Sequence, residues 1–222
     1  MFRLSLFTMS LILNFGVLLC EEYNTEKVFT EIYDKCIWGT DAENKGTSGS
    51  GSTIENNQIY MDFLQNFIQY NTIKSVVDLG CGDWMFSQKI NWYNAKYHGI
   101  DVVKPVIEKN KKKFSSSNII FTHGGIEKLE NISPADLLLC KDVLQHIPNE
   151  EIIKFLKYIS KFKYCLITND IHYGGINQPV PESPNNYRGI DLTQPPFNVK
   201  GVKILTYLSG GHLKQILLII NF

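Results

Sequence analysis

The sequence predicts an α/β fold, a mostly parallel sheet with helices on both faces, and three observations carry that reading. Short apolar runs alternate with helical patterns from Ser75 to Asn169, as strand–helix–strand units do. The first run ends in an acid and a glycine turn, Val76-Val77-Asp78-Leu79-Gly80-Cys81-Gly82-Asp83, where a buried strand gives way to a helix start. Near the end, Lys203 to Ser209 and Gln215 to Asn221 are apolar runs separated by Gly210-Gly211, which predicts an antiparallel finish at the sheet edge.

Residues 1–20 read as a leader. Met1-Phe2-Arg3 is short and basic, Leu4 to Leu19 is apolar apart from Ser5, Thr8, Ser10 and Asn14, and Glu21-Glu22 closes the run. That is the pattern of a secretory signal peptide. It falls short of the ~20 strongly apolar residues of a spanning helix, although an uncleaved anchor that holds the protein at a membrane fits the same pattern. A buried N-terminal helix or a misplaced start codon is the alternative. The expected location is the secretory pathway, or the cytoplasm if the leader is not used.

The segment 21–74 comes next. Thr25 to Tyr33 reads as a helix, and Trp38 to Ser52, rich in Gly and Ser, as an ordered loop or lid. Ile59, Phe63, Leu64, Phe67 and Ile68 fall at helical spacing and predict an amphipathic helix over Ile59 to Tyr70. The remaining segment, 75–222, holds the alternation. Strands are expected at Ser75 to Leu79, Tyr97 to Val102, Ile119 to Thr122, Asp136 to Cys140 and Tyr164 to Asn169. Helices are expected from Phe86 to Ile90, Val106 to Phe114 and Asn149 to Phe162. Gly174 to Lys200, rich in Pro, Asn and Gly, reads as a long irregular connection, and such connections are often functional.

Composition narrows the partners. Of 222 residues 44% are hydrophobic, enough for a sizeable core, while 22 basic and 22 acidic residues leave a net charge of +0. That balance gives no field to attract nucleic acid. Beyond the leader, Cys81, Cys140 and Cys165 lie in or beside apolar runs and read as small buried side chains; with Cys36 they form no metal-type pairs, so no metal is expected. Asn131-Ile132-Ser133 is a glycosylation sequon of a kind common by chance.

The glycine turn sets the ligand. A dinucleotide places a pyrophosphate on the helix start and favours a third glycine. Met85 stands there instead, and Asp78 and Asp83 would repel the phosphates, which argues against a nicotinamide-dependent oxidoreductase. The two acids suit a ligand with an ammonium and a sulfonium. Asp101, ending the next strand in His98-Gly99-Ile100-Asp101, can accept from both hydroxyls of a ribose.

On Asp78-Leu79-Gly80-Cys81-Gly82, Asp101 and the stretch Cys140-Lys141-Asp142-Val143-Leu144-Gln145-His146-Ile147, the chain resembles the class I S-adenosylmethionine-dependent methyltransferases, from about Ser75 onward. The resemblance implies a Rossmann-like, seven-stranded, mostly parallel sheet with an antiparallel last strand, and S-adenosyl-L-methionine as cofactor. It implies that Asp78, Gly80, Cys81 and Gly82 surround the methionine part. Asp101 would hold the ribose, Val102 would pack on the adenine, and Cys140, Lys141 and Asp142 would lie near the transferred methyl. Two positions depart from the family's pattern. Trp84 stands where a third glycine is common, and Phe121-Thr122-His123-Gly124-Gly125 lacks the acid often found at the adenine edge, leaving the backbone of Gly125 and Ile126 to meet that ring.

Methyl transfer mainly needs positioning, because the sulfonium is already activated. A base helps where the acceptor is a hydroxyl or an ammonium. Asp142, His146 and His172 are the expected catalytic residues, with Asp170 a further candidate; Asp142 could equally cap a helix and the two histidines could be structural or solvent-facing. Arg188 would bind an anionic acceptor or pair with Asp191. The expected activity is transfer of a methyl group to a small molecule, a glycan or a peptide. The alternative is a catalytically inactive secreted or membrane-anchored binding protein with the same fold.

Overall fold

Seven strands form one sheet in the computed structural model, which describes residues 23–172, 175–181 and 186–222. They are β1 (Ser75–Leu79), β2 (Lys96–Asp101), β3 (Ile119–His123), β4 (Ala135–Lys141), β5 (Phe162–Asp170), β6 (Val202–Ser209) and β7 (His212–Ile220). Their order is β3-β2-β1-β4-β5-β7-β6. β1, β2, β3, β4 and β5 pair in parallel, whereas β7 runs antiparallel to both β5 and β6. Six strands therefore share a direction and the last is reversed, as the glycine-separated pair at the end of the chain predicts.

The helices are α1 (Thr25–Asp34), α2 (Gln58–Tyr70), α3 (Lys104–Phe114), the single turn α4 (Lys128–Asn131) and α5 (Asn149–Leu156). They cover both faces, so the central strands read as nearly continuous apolar runs. Alternation along each strand decides which face a side chain joins. Val77, Leu79, Leu138, Cys140, Cys165 and Ile167 pack with Phe29 and Ile32 of α1 and Phe155 of α5. Val76, Leu137, Leu139, Leu166 and Ile216 pack on the other face with Tyr60, Leu64 and Ile68 of α2. Asn24 starts α1 by accepting the Lys27 N–H on its side chain at 2.9 Å.

Three expectations are corrected. The helix expected from Phe86 to Ile90 is only a 3-10 turn over Ser87–Lys89. Trp84, at φ 58°, turns the chain, and the buried rings of Trp84 and Trp92 fill the space against Tyr97. The face that a crossover helix would cover is covered by α2, which precedes β1. The helix expected to reach Phe162 ends at Leu156, and β5 already begins at Phe162, which pairs with Ala135. The last strand starts at His212, ahead of Gln215. The proposed leader lies outside the described residues.

Candidate active site

The carboxyl ends of β1, β2 and β4 and the start of β7 open into one cavity of about 930 Å3. Ligands of open α/β sheets bind at this edge. Asp78, Leu79, Gly80, Cys81, Gly82, Asp101, Val102, Gly125 and Ile126 line one end. Asp78 and Asp101 both lie under its surface, 7% and 8% exposed, on adjacent strands. The Tyr97 hydroxyl donates to Asp78 Oδ2 at 2.6 Å. Burial, opposed in part by that bond, lifts the Asp78 carboxyl to about 6. Burial also raises Asp101, against the N–H groups of Val103 and Gly82 that donate to its two oxygens at 2.9 Å each. Two buried carboxylates held reluctant to ionise are what a cationic ligand relieves. A carboxylate also has more acceptor sites than Asp101 uses in these two bonds, so it can still take ribose hydroxyls.

The glycines are needed by geometry. Gly80 and Gly82 stand at φ 79° and 55°, where a side chain is strained. A Cβ at Gly80 would strike Val143, and one at Gly82 would strike the Ser48 hydroxyl. Beside the stretch Phe121 to Gly125, Glu127 places a carboxylate in the lining of the cavity and accepts the Gly125 N–H at 2.9 Å. The residues present thus fit S-adenosylmethionine in charge, backbone clearance and room.

The Gly/Ser-rich loop lies over the cavity, with Ser48, Gly49, Ser50, Gly51 and Ser52 in its lining. Asp83 fastens it. Its Oδ2 accepts the Ser48 N–H at 3.1 Å, while its own N–H donates to Ser48 Oγ at 2.8 Å. Tyr33 shares the Ser48 hydroxyl at 2.5 Å. Farther along the loop, Gly51 O accepts from Lys141 Nζ at 3.0 Å and from Asn57 Nδ2 at 2.8 Å.

At the other end of the cavity charged side chains converge. Asp142, at φ 58°, receives Lys141 Nζ on Oδ2 at 2.6 Å and Lys214 Nζ on Oδ1 at 2.7 Å. Burial would raise its carboxyl, but the two ammonium groups outweigh burial and hold it well below the usual range. Lys141 is itself lowered by burial, with Asp142 opposing. The His146 ring packs against Trp38, Tyr187 and Phe29, with centroids 5.1, 5.2 and 6.0 Å away.

The structure brings most of the expected residues to this cavity. Asp78, Gly80, Cys81, Gly82, Asp101, Val102, Gly125, Ile126, Lys141, Asp142 and His146 all line it. Two are placed elsewhere. Cys140 has the parity of the α1 face and is fully buried in that core. His172 is exposed outside the lining, its N–H donating to Asp170 Oδ1 at 2.7 Å. Asp142 caps no helix, its carboxylate being held by the lysines. Arg188 is also away from the cavity. It is buried and donates to Ile147 O at 2.8 Å and Asn149 Oδ1 at 2.7 Å, while Asp191 pairs with Lys203 at 2.7 Å. Tyr187, His212 and Lys214 were not singled out by sequence reasoning, yet all three line the cavity. The signal was there in His212-x-Lys214, whose two-residue spacing after the glycine pair puts both on one face of a strand.

A family model described as a methyltransferase domain matches residues 71–190, which contain β1 to β5 and both buried acids. The chain belongs to the class I S-adenosylmethionine-dependent methyltransferases. Several solved structures share its architecture. Magnesium protoporphyrin IX methyltransferase from Synechocystis PCC 6803, solved with bound S-adenosylmethionine, is 12% identical with a TM-score of 0.60, over 91% of this chain and 99% of that one. TehB from Haemophilus influenzae is 14% identical with a TM-score of 0.54, over 72% of this chain and 62% of that one. WbdD is 18% identical with a TM-score of 0.53, over 75% of this chain and 40% of that one. At such identities the likeness is one of fold. No curated protein sequence matches the chain significantly. S-adenosylmethionine is the cofactor of this methyltransferase.

Proposed function

We propose that this methyltransferase binds S-adenosylmethionine between Asp78 and Asp101 and transfers its methyl group to a small molecule, or to an exposed glycan or peptide group, held beside Lys141, Asp142, Tyr187, His212 and Lys214. The observation that carries this reading is the single cavity of about 930 Å3 that joins the two buried acids to that charged end. It has room for a nucleoside cofactor and a modest acceptor together. When bound, the cofactor supplies an activated methyl. The protein's task is to align an acceptor atom with it and keep water out, and the loop from Ser48 to Ser52 serves the second purpose. A net charge of +0 gives nucleic acid no purchase as an acceptor. The Synechocystis neighbour, named for magnesium protoporphyrin IX, is one instance of this architecture serving a small molecule.

Calorimetry with S-adenosylmethionine tests the cofactor end. We expect binding by the full chain and a loss of at least tenfold in affinity for Asp101→Ala, with the thermal transition retained. Binding unaffected by Asp101→Ala would refute the placement. We also propose that residues 1–20 direct the protein to the secretory pathway or hold it at a membrane; among the described residues no helix is long and apolar enough to cross one. N-terminal sequencing of the protein from its own cells tests this, and a mature chain that retains residues 1–20 in the cytosol would overturn it.

A further inference from the structure

Tyr60 stands in the first turn of α2 and lines the cavity together with Asp78 and Lys141. Its ring meets that of Phe86 edge-on, with centroids 5.8 Å apart. Lys141 Nζ lies over both rings, 5.5 Å from the Tyr60 centroid and 5.3 Å from that of Phe86, a placement that holds an ammonium by cation–π attraction. Tyr60 is only 1% exposed, yet among the described residues its hydroxyl has no hydrogen-bond partner. Buried polar groups are nearly always paired, so a lone one calls for an explanation. The Tyr207 hydroxyl is lone as well, but that atom is sealed in the interior. The Tyr60 oxygen is not among the sealed atoms, and in a residue that lines the cavity it opens there.

Both side chains have a proton to spare. Burial, and after it Asp78, Tyr207 and Asp142, push the Tyr60 hydroxyl well above the usual tyrosine range. It therefore keeps its proton and acts as a donor. An ammonium carries three protons. Lys141 gives one to Gly51 O at 3.0 Å and one to Asp142 Oδ2 at 2.6 Å, and none of the described residues takes the third. Asp78 pairs with Leu139, two residues before Lys141, so the acid and the ammonium share one side of the sheet.

S-adenosylmethionine has one group that Asp78 and Asp101 cannot serve. The two acids suit its ammonium, its sulfonium and its ribose hydroxyls, but an ionised acid repels its carboxylate. A carboxylate needs donors and a positive charge. We propose that the Tyr60 hydroxyl, together with Lys141 Nζ, binds the carboxylate at the methionine end of the cofactor. This rests on the reading that S-adenosylmethionine lies between Asp78 and Asp101. α2 precedes the stretch that the family model matches, so Tyr60 is this chain's own contribution to the site. The same ammonium anchors Gly51, which fastens the Gly/Ser-rich loop at the end of the cofactor that carries the carboxylate.

Calorimetry on the full chain tests this with two ligands, S-adenosylmethionine and its decarboxylated form, which keeps the sulfonium, the amine and the nucleoside. The wild type should bind the decarboxylated form about tenfold or more weakly, as expected when hydrogen bonds to a charged group are lost. Tyr60→Phe removes only the hydroxyl. It should weaken binding of S-adenosylmethionine by ~3–10-fold and leave affinity for the decarboxylated form within about twofold of the wild type. Its thermal midpoint without ligand should not fall, because the hydroxyl bonds to nothing in the protein; a fall would mark the hydroxyl as structural and count against the proposal. Equal affinity of the wild type for the two ligands overturns it. So does a Tyr60→Phe variant that loses nothing, or that loses both ligands alike. Failure of the wild type to bind S-adenosylmethionine would instead refute the underlying site reading.

Discussion

Asp78 should make cofactor binding depend on pH, and the structure gives the size and direction of the effect. Its carboxyl is lifted from an ordinary 3.8 to about 6 by burial, more than the Tyr97 bond and Lys141 can offset. At ~1.4 kcal/mol per pH unit, the ionised form in the folded protein is disfavoured by about 3 kcal/mol. Because the folded value is raised, this group's contribution to stability is complete below 3.8 and is lost as the pH climbs through about 6. The cofactor works in the opposite direction. Its positive charge favours the ionised carboxylate, so binding expels the proton and tightens as pH rises. If only the ionised form binds, affinity falls about twofold at pH 6 and about tenfold at pH 5 relative to pH 7, with about half a proton released per cofactor at pH 6. Calorimetry from pH 5 to pH 8, in buffers with different ionisation enthalpies, measures both quantities. Asp78→Asn should bind weakly with a flatter profile. Asp101, also raised by burial, remains in the variant, so the difference between the profiles isolates Asp78. Parallel profiles for the two proteins would refute the reasoning.

Lys214→Met leaves Asp142 with Lys141 alone and should destabilise the fold by ~3 kcal/mol, as when one partner of a buried pair is removed; an unchanged guanidinium midpoint would count against it. Gly82→Ala meets left-handed strain of ~1–2 kcal/mol and a collision with the Ser48 hydroxyl. It should loosen the lid, seen as faster amide exchange across residues 46–52, and weaken cofactor binding. Phe155→Ala empties a fully buried site between α5 and the sheet and should cost ~3–5 kcal/mol, read as a lower midpoint with an unchanged cofactor stoichiometry.

The centre of the sheet was legible because local pattern and tertiary environment agree there. Ser75 to Leu79 is a strand at the bounds the sequence suggests, since strands covered on both sides are apolar without interruption and glycines end them. The missing helix after β1 was not legible. Phe86 to Ile90 has helical apolar spacing, but the face it would cover is taken by α2 from earlier in the chain, and no local window records that competition. Parity separates Lys141 from its neighbour Cys140: one residue along a strand moves a side chain from the cavity to the α1 core. The histidines show a longer-range limit. His172 lies directly after β5 and looked catalytic, whereas His212 reaches the site through the antiparallel pairing of β5 with β7, a register set by contacts more than forty residues apart. Glu127 was missed for a smaller reason, because it folds back on Gly125 from two residues downstream.

The reversal of β7 has a consequence for how this protein can change. In the parallel strands the residues at the site come last, so a longer or shorter loop after them leaves the strands undisturbed. In β7 they come first, directly after the Gly210-Gly211 turn. A single insertion at that tip that re-phased the strand would rotate His212 and Lys214 together onto the opposite side of the ribbon, whereas a two-residue insertion that displaced it by a full repeat would preserve their facing and move them outward. If His212 and Lys214 flank the acceptor as proposed, length variation at the hairpin tip would change which molecules fit, and even and odd increments should have opposite fates.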